Sequence, residues 1–286
     1  KSVKTLTEMF NLEKTYNKTK NVLKKLLKII KKPEMIILPG NLSFSLILSI
    51  FPAIILLGYI FSKLNISVKV LTDLFAPNIP GDVVNILEKF IDTDIGSGNV
   101  FITVILAFIF ASNGTNSIIT TTNILYKNEG GETIERRVKS FFLVILLMFV
   151  FSITVFILGF GSSILKMIID RIDGDYTYIY HLFTVLKWPI SFFIIFFCLK
   201  ILYTIAPDNQ IKSKTINSGA LFTTLGWIIV TFIYSIYVSK FARYDVFYGS
   251  LSSIVILMVW VYILSNILVI GIAINANAYL EEKEKS

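Results

Sequence analysis

Residues 250–276 read SLSSIVILMVWVYILSNILVIGIAINA, an uninterrupted run without a charge or a proline. A helix of about 20 apolar residues crosses the roughly 30 Å hydrocarbon core of a bilayer. The run must be helical there, because a helix satisfies its own backbone hydrogen bonds where water is absent. A transmembrane strand would be about half as long and would alternate polar with apolar side chains. Five more stretches are long and apolar enough to span, though Pro52 falls in one and Lys187, Pro189 and Lys200 in another, so the predicted spans are Gly40–Ser62, Val100–Thr120, Phe141–Leu165, Leu182–Ala206, Ile216–Val238 and Ser250–Ala276. The expected fold is an all-α, polytopic six-transmembrane-helix bundle. Composition agrees, with 55% hydrophobic and only 16% charged residues among 286 and a mean hydropathy of +0.73. A water-exposed surface calls for about 25% charged residues.

Lysine and arginine placement orients the bundle. Of 27 cations, 19 fall in the N-terminal arm, the second and fourth loops, the tail and at Lys200, which puts N and C termini in the cytoplasm. The predicted organisation is a basic arm over residues 1–35, a membrane domain over 36–280 with an external loop at 63–99, and a tail over 281–286. No cleavable signal peptide is visible at the start. In the arm, Val22, Leu26, Ile29 and Ile30 recur at helical spacing among lysines. That pattern fits an interfacial helix drawn to anionic membrane lipids, or a cytoplasmic helix whose lysines only fix topology. It lacks the aromatic and arginine interleaving used to stack on bases, so no nucleic-acid partner is expected. The external loop is broken by Pro77, Pro80 and Gly81, after which Val83–Ile91 resumes a helical pattern. A homo-oligomer is compatible with this organisation.

The inventory argues against an enzyme. His181 is the one histidine and Cys198 the one cysteine, and no P-loop, GxSxG elbow or metal-ligand spacing is present. No cofactor and no metal are expected. No Asp or Glu lies inside a predicted span, which removes the buried carboxylate of a proton relay.

Neutral polar residues do fall in register within the spans. Asn41, Ser45, Ser49 and Pro52 share one face of the first helix, and Asn113, Asn116, Thr120 and Asn123 one face of the second. Asn266 sits in the sixth. Such groups are costly against lipid and should point inward. They would either hydrogen-bond between helices or line a substrate pathway. Lys200 lies within the fourth span, near enough to its cytoplasmic end to snorkel or to touch a substrate. Lys240, Arg243 and Tyr248 mark a short external turn with two cations on the less basic side. This turn would contact an anionic ligand or lipid headgroup, or be held by an Arg243–Asp245 pair.

Several of these elements carry a family resemblance. Ser43–Phe44–Ser45 leads through Leu48–Ser49–Ile50–Phe51 to Pro52, followed by YTIAP at Tyr203–Pro207, Gly219-Ala220, YDVFYGSL at Tyr244–Leu251, LMVWVY at Leu257–Tyr262, and Gly271 with Asn275-Ala276. Over about residues 20 to 280 the chain resembles the YihY/BrkB family of bacterial inner-membrane proteins, historically labelled ribonuclease BN. The first motif departs from the family pattern in having no tyrosine between Asn41 and Pro52. The resemblance implies a six-helix bundle in the cytoplasmic membrane and roles in transport or export of small solutes, or in moving lipids. The expected function is therefore a transporter, permease or flippase for an amphipathic or anionic molecule or lipid. The alternatives are a non-transporting scaffold and, disfavoured by the inventory, a membrane-bound ribonuclease.

Overall fold

The structure, a computed structural model, describes residues 29–63, 100–128, 133–155, 177–240 and 243–284. The basic arm before Ile29, most of the external loop and the end of the predicted third span lie outside the described residues. Those residues are all helical apart from turns, with no strand among them. The helices are α1 (Glu34–Lys63), α2 (Val100–Leu125), α3 (Thr133–Val155), α4 (Thr177–Ile205), α5 (Ser213–Lys240), the short α6 (Tyr244–Tyr248) and, after a 3-10 turn at Gly249–Leu251, α7 (Ser252–Lys283). By length and apolarity, Val104–Leu125, Ser213–Val238 and Ile254–Lys283 can each cross a membrane, while Glu34–Ile50 and Pro189–Ile205 are shorter apolar helical stretches.

Each long helix is cut differently from the span read in the sequence. α1 starts at Glu34, six residues ahead of the predicted start at Gly40, and runs through Pro39. Met35 and Leu38 in this extra turn are buried in the main apolar core, and that packing outweighs the local breakers. α2 continues past Thr120 because Thr121, Thr122 and Asn123 are all buried. It ends in a Schellman turn in which the Asn128 amide donates to the Asn123 carbonyl at 3.0 Å and Lys127 takes φ +54°. α7 runs seven residues beyond Ala276, to Lys283.

The bundle buries polar side chains within an apolar core and is apolar outside as well. Ser112, Thr122, Asn123, Thr223, Thr224 and Asn275 are buried, whereas Phe149, Val185 and Phe232 are each more than 60% exposed. A soluble protein rarely shows so large an apolar surface, but lipid is the natural solvent for it. The architecture is that of a membrane protein.

α5 and α7 form an antiparallel pair with a constant register. The Trp227 indole N–H donates to the Leu264 carbonyl at 3.0 Å, Trp260 to Thr231 Oγ1 at 3.3 Å, and the Tyr234 hydroxyl to the Ile256 carbonyl at 2.7 Å. α7 also packs on α1 and α2, and α2 on α1 and α3. One end of the bundle gathers the start of α1, the α2–α3 and α4–α5 connections and the end of α7. There Lys32 Nζ donates to Asn277 Oδ1 at 3.3 Å and Lys212 pairs with Glu282 at 2.7 Å.

Candidate functional site

The polar face read on α1 is divided. Ser49 is buried where α1 meets α2, and its hydroxyl lies 2.7 Å from the Ser45 carbonyl and 3.2 Å from the Phe110 carbonyl of α2. Gly114 permits the contact, since a Cβ there would stand 2.9 Å from Ser49 Oγ. Ser45 donates back to the Asn41 carbonyl at 3.1 Å, Asn41 is exposed, and Pro52 is half-buried.

The α2 face turns mainly to α3 and to the α4–α5 connection. Asn113, exposed, accepts from Arg137 at 2.9 Å, and Asn116 accepts from the Ser140 hydroxyl at 3.2 Å. Thr120 is half-buried. Asn123 is the hub of the polar end. Its Oδ1 accepts the Asp208 amide at 2.9 Å and Asn128 Nδ2 at 2.8 Å, while its own Nδ2 donates to the Ile119 carbonyl at 3.0 Å. Asn209 in turn donates to Asn128.

Beside this hub, Asp208 receives Arg136 Nε at 2.9 Å and Nη2 at 2.7 Å on one oxygen, and Lys139 at 3.1 Å on the other. Lys139 also reaches Glu135 at 3.2 Å. Partial burial pushes the Asp208 carboxyl up, but the hydrogen bonds and charges of Arg136 and Lys139 together reverse this and hold it below its ordinary value. A carboxylate so held serves as a fixed anion rather than as a proton carrier. Charge counting had assigned Arg136 and Lys139 to topology. Their pairing with Asp208 joins positions about seventy residues apart, and no local spacing announces it.

A second polar knot joins α4, α5 and α7. Tyr203, fully enclosed, shares a 2.7 Å hydrogen bond with Thr223 Oγ1 and donates to the Leu268 carbonyl at 3.1 Å. The Gly219 amide donates to Asn275 Oδ1 at 2.8 Å. A Cβ on Gly271 would lie 2.0 Å from Thr223 Oγ1, and one on Gly219 would lie 2.2 Å from the Gly271 carbonyl oxygen. The two helices therefore cross with backbone against backbone, as small residues allow in membranes. Asn266 stays outside this knot and donates to the Tyr262 carbonyl of its own helix at 2.8 Å.

Between α3 and α4 lies a groove of about 390 Å³, lined by Val150 and Ile153 on one side and by Ile190, Phe193, Ile194, Phe197, Cys198 and Ile201 on the other. Every lining side chain is apolar, and Phe193 and Phe197 remain more than half exposed. At the end of the bundle away from the Asp208 cluster, Lys240, Arg243 and Tyr248 are all exposed. Phe247 beside them is 83% exposed, and the rings of Tyr244 and Tyr248 lie 6.1 Å apart. Among the described residues no group of three or more His, Cys, Asp or Glu could hold a metal ion.

The sequence profile described as Virulence factor BrkB matches residues 32–286. The ribonuclease-like protein YfkH of Bacillus subtilis is 28% identical over 248 residues, covering 85% of this chain and 90% of that protein. A UPF0761 membrane protein of Glaesserella parasuis is 28% identical over 216 residues, covering 74% and 73% of the two chains. No solved structure matches. With the profile spanning all the described helices and relatives named as membrane proteins aligned along most of its length, the chain belongs to the BrkB family of membrane proteins.

Proposed function

We propose that this protein is a six-span permease of flippase type in the bacterial cytoplasmic membrane, with both termini inside, moving an amphipathic anionic molecule, a lipid foremost. The observation that carries this reading is the groove between α3 and α4, whose lining is apolar and whose aromatic wall is exposed to the lipid side. A soluble solute would need polar groups along its path, whereas an acyl chain needs none. Asn41, Ser45, Ser49, Pro52, Asn113, Asn116, Thr120, Asn123 and Asn266 are proposed as the polar path for the headgroup. Several of them are engaged with neighbouring helices in the state described, so transport would require those contacts to exchange. Lys240, Arg243 and Tyr248 are proposed to meet headgroups at the outer surface, and the basic arm those at the inner one.

Reconstitution in liposomes tests the proposal. Purified protein should accelerate movement of fluorescent anionic phospholipid between leaflets above protein-free vesicles, and should leave a trapped soluble anion in place. Solute flux without lipid movement would replace the lipid with a soluble substrate, and neither activity would end the permease reading. A second reading, a non-transporting scaffold, is favoured by the tight Gly219–Gly271 crossing, which suits a rigid body. Deleting the basic arm should abolish partner capture by a scaffold but spare flux by a permease. The ribonuclease-like name of the Bacillus relative belongs to that protein; RNA cleavage by purified material with added divalent metal would be needed to extend it here.

A further inference from the structure

We infer that the groove between α3 and α4 is a binding site for a single anionic phospholipid, with an acyl chain lying along Phe193 and Phe197 and the phosphate meeting Lys200. The inference rests on the lipid reading above and specifies where and how the lipid is held. On α4 the lining runs from Ile190 to Ile201. At about 1.5 Å of rise per residue this is roughly 16 Å, close to half of the roughly 30 Å hydrocarbon core. The groove therefore has the length of one leaflet's chain rather than of a whole bilayer or a spanning helix.

Its wall is built for such a chain. Phe193 and Phe197 lie with ring centroids 6.5 Å apart and planes 29° apart, and both stay more than half exposed along the groove. Lys200 follows Phe193 by two helical turns and so lies on the same face of α4. It flanks the groove rather than lining it, one residue before Ile201, the lining residue of α4 nearest the Asp208 cluster.

Charge selects the occupant. Of the three cations of α3 at this end, Arg136 and Lys139 are committed to Asp208, and Arg137 donates to Asn113 and lies over the Phe141 ring. Among the described residues no acidic side chain pairs with Lys200. An ammonium that is short of an anion, five residues before the end of α4 and so able to snorkel towards a leaflet's phosphates, favours a lipid of net negative charge. A zwitterionic headgroup would bring its own cation against Lys200.

The test uses the full chain in phosphatidylcholine nanodiscs doped with a trace of phosphatidylglycerol carrying a photoactivatable diazirine in mid-chain. After irradiation and peptide mapping, adducts should concentrate at residues 190–201 and 150–153, several-fold above the lipid-facing side of α5 around Phe232. Lys200→Gln should bring that enrichment down to the α5 level, and Lys200→Arg should restore it. A phosphatidylcholine probe with the same chain should show no enrichment on the wild-type protein. Even labelling of all exposed helices, enrichment unaffected by Lys200→Gln, or equal enrichment with the zwitterionic probe would each overturn the site. Running leaflet-exchange assays on the same preparations separates the two ideas. Groove labelling without lipid movement supports the site and removes the flippase reading; lipid movement without groove labelling removes the site alone.

Discussion

Gly249 and Gly271 are both glycines in α7 or at its entrance, and they are glycines for opposite reasons. Gly249 holds φ +51° with nothing within 4 Å of where a Cβ would be, so Gly249→Ala should cost only the backbone strain, about 1 kcal/mol. Gly271 is a normal helical residue with no room at all, and Gly271→Ala should cost about 3 kcal/mol or more through overpacking against Thr223 and Tyr203. Thermal melting in detergent should rank the two variants in that order; equal losses would refute the backbone-against-backbone crossing. Lys127 is the converse case, a side chain held at φ +54° where glycine is at ease. Lys127→Gly should stabilise by about 0.5–1 kcal/mol, the relief of strain less the added entropy of the unfolded chain. Asp208 brings pH into the balance. Its carboxyl is held below its ordinary value, so its contribution is complete above the usual carboxylate range of about 4 and is lost as pH falls through the lower folded value. Asp208→Asn should lower stability at neutral pH by about 2 kcal/mol and should flatten the acid limb of the melting profile relative to wild type.

At the scale of elements, the α5–α7 pair is held by side chains that donate to backbone or hydroxyl across the interface, one about every helical turn. Thr231→Val keeps the side-chain shape and removes only the hydroxyl that Trp260 reaches, and should cost about 1 kcal/mol; a loss well above that would mean the Thr231 hydroxyl holds more of the α5–α7 contact than this one bond. Helix existence was plainly legible, because long uncharged runs have few other solutions in a membrane. Helix ends were not. The predicted first span began at Gly40, yet buried Met35 and Leu38 belong to α1, which runs back through Pro39 to Glu34. Likewise, inward-facing polar residues could be read from their spacing, but not their partners. Ser49 meets the Phe110 carbonyl and Asn123 receives the Asp208 amide across distances that a helical wheel cannot display. Tyr203 was read only as part of a motif, and its hydroxyl turns out to tie α4 to both α5 and α7.

For the whole molecule, the beginning of α1 and the end of α7 lie at one end with the Arg136–Asp208 cluster. If the proposed six-span topology with that end inside holds, single cysteines placed at Lys32, Asn209 and Glu284 in a Cys198→Ala background should all be modified by an impermeant reagent only in inverted vesicles. A cysteine at Lys240 or Phe247 should be modified only from the opposite side. Mixed labelling within either set would overturn the proposed topology. All the ion pairs described lie at the first end. Raising salt should therefore loosen that end selectively, with little effect on the Trp260 environment in the other half of the α5–α7 pair.

The placement of α7 also orders the protein's biosynthesis. It is the last of the described helices to leave the ribosome, yet it supplies the carbonyl for Tyr203, the amide oxygen for Gly219 and the surface on which α1 rests. Until it is made, the Gly219 amide lacks its Asn275 partner, Tyr203 keeps only Thr223, and α1 lacks the surface it packs on. A nascent chain arrested before Leu268 would expose those groups to lipid, giving membrane quality-control proteases a feature by which to recognise an unfinished copy.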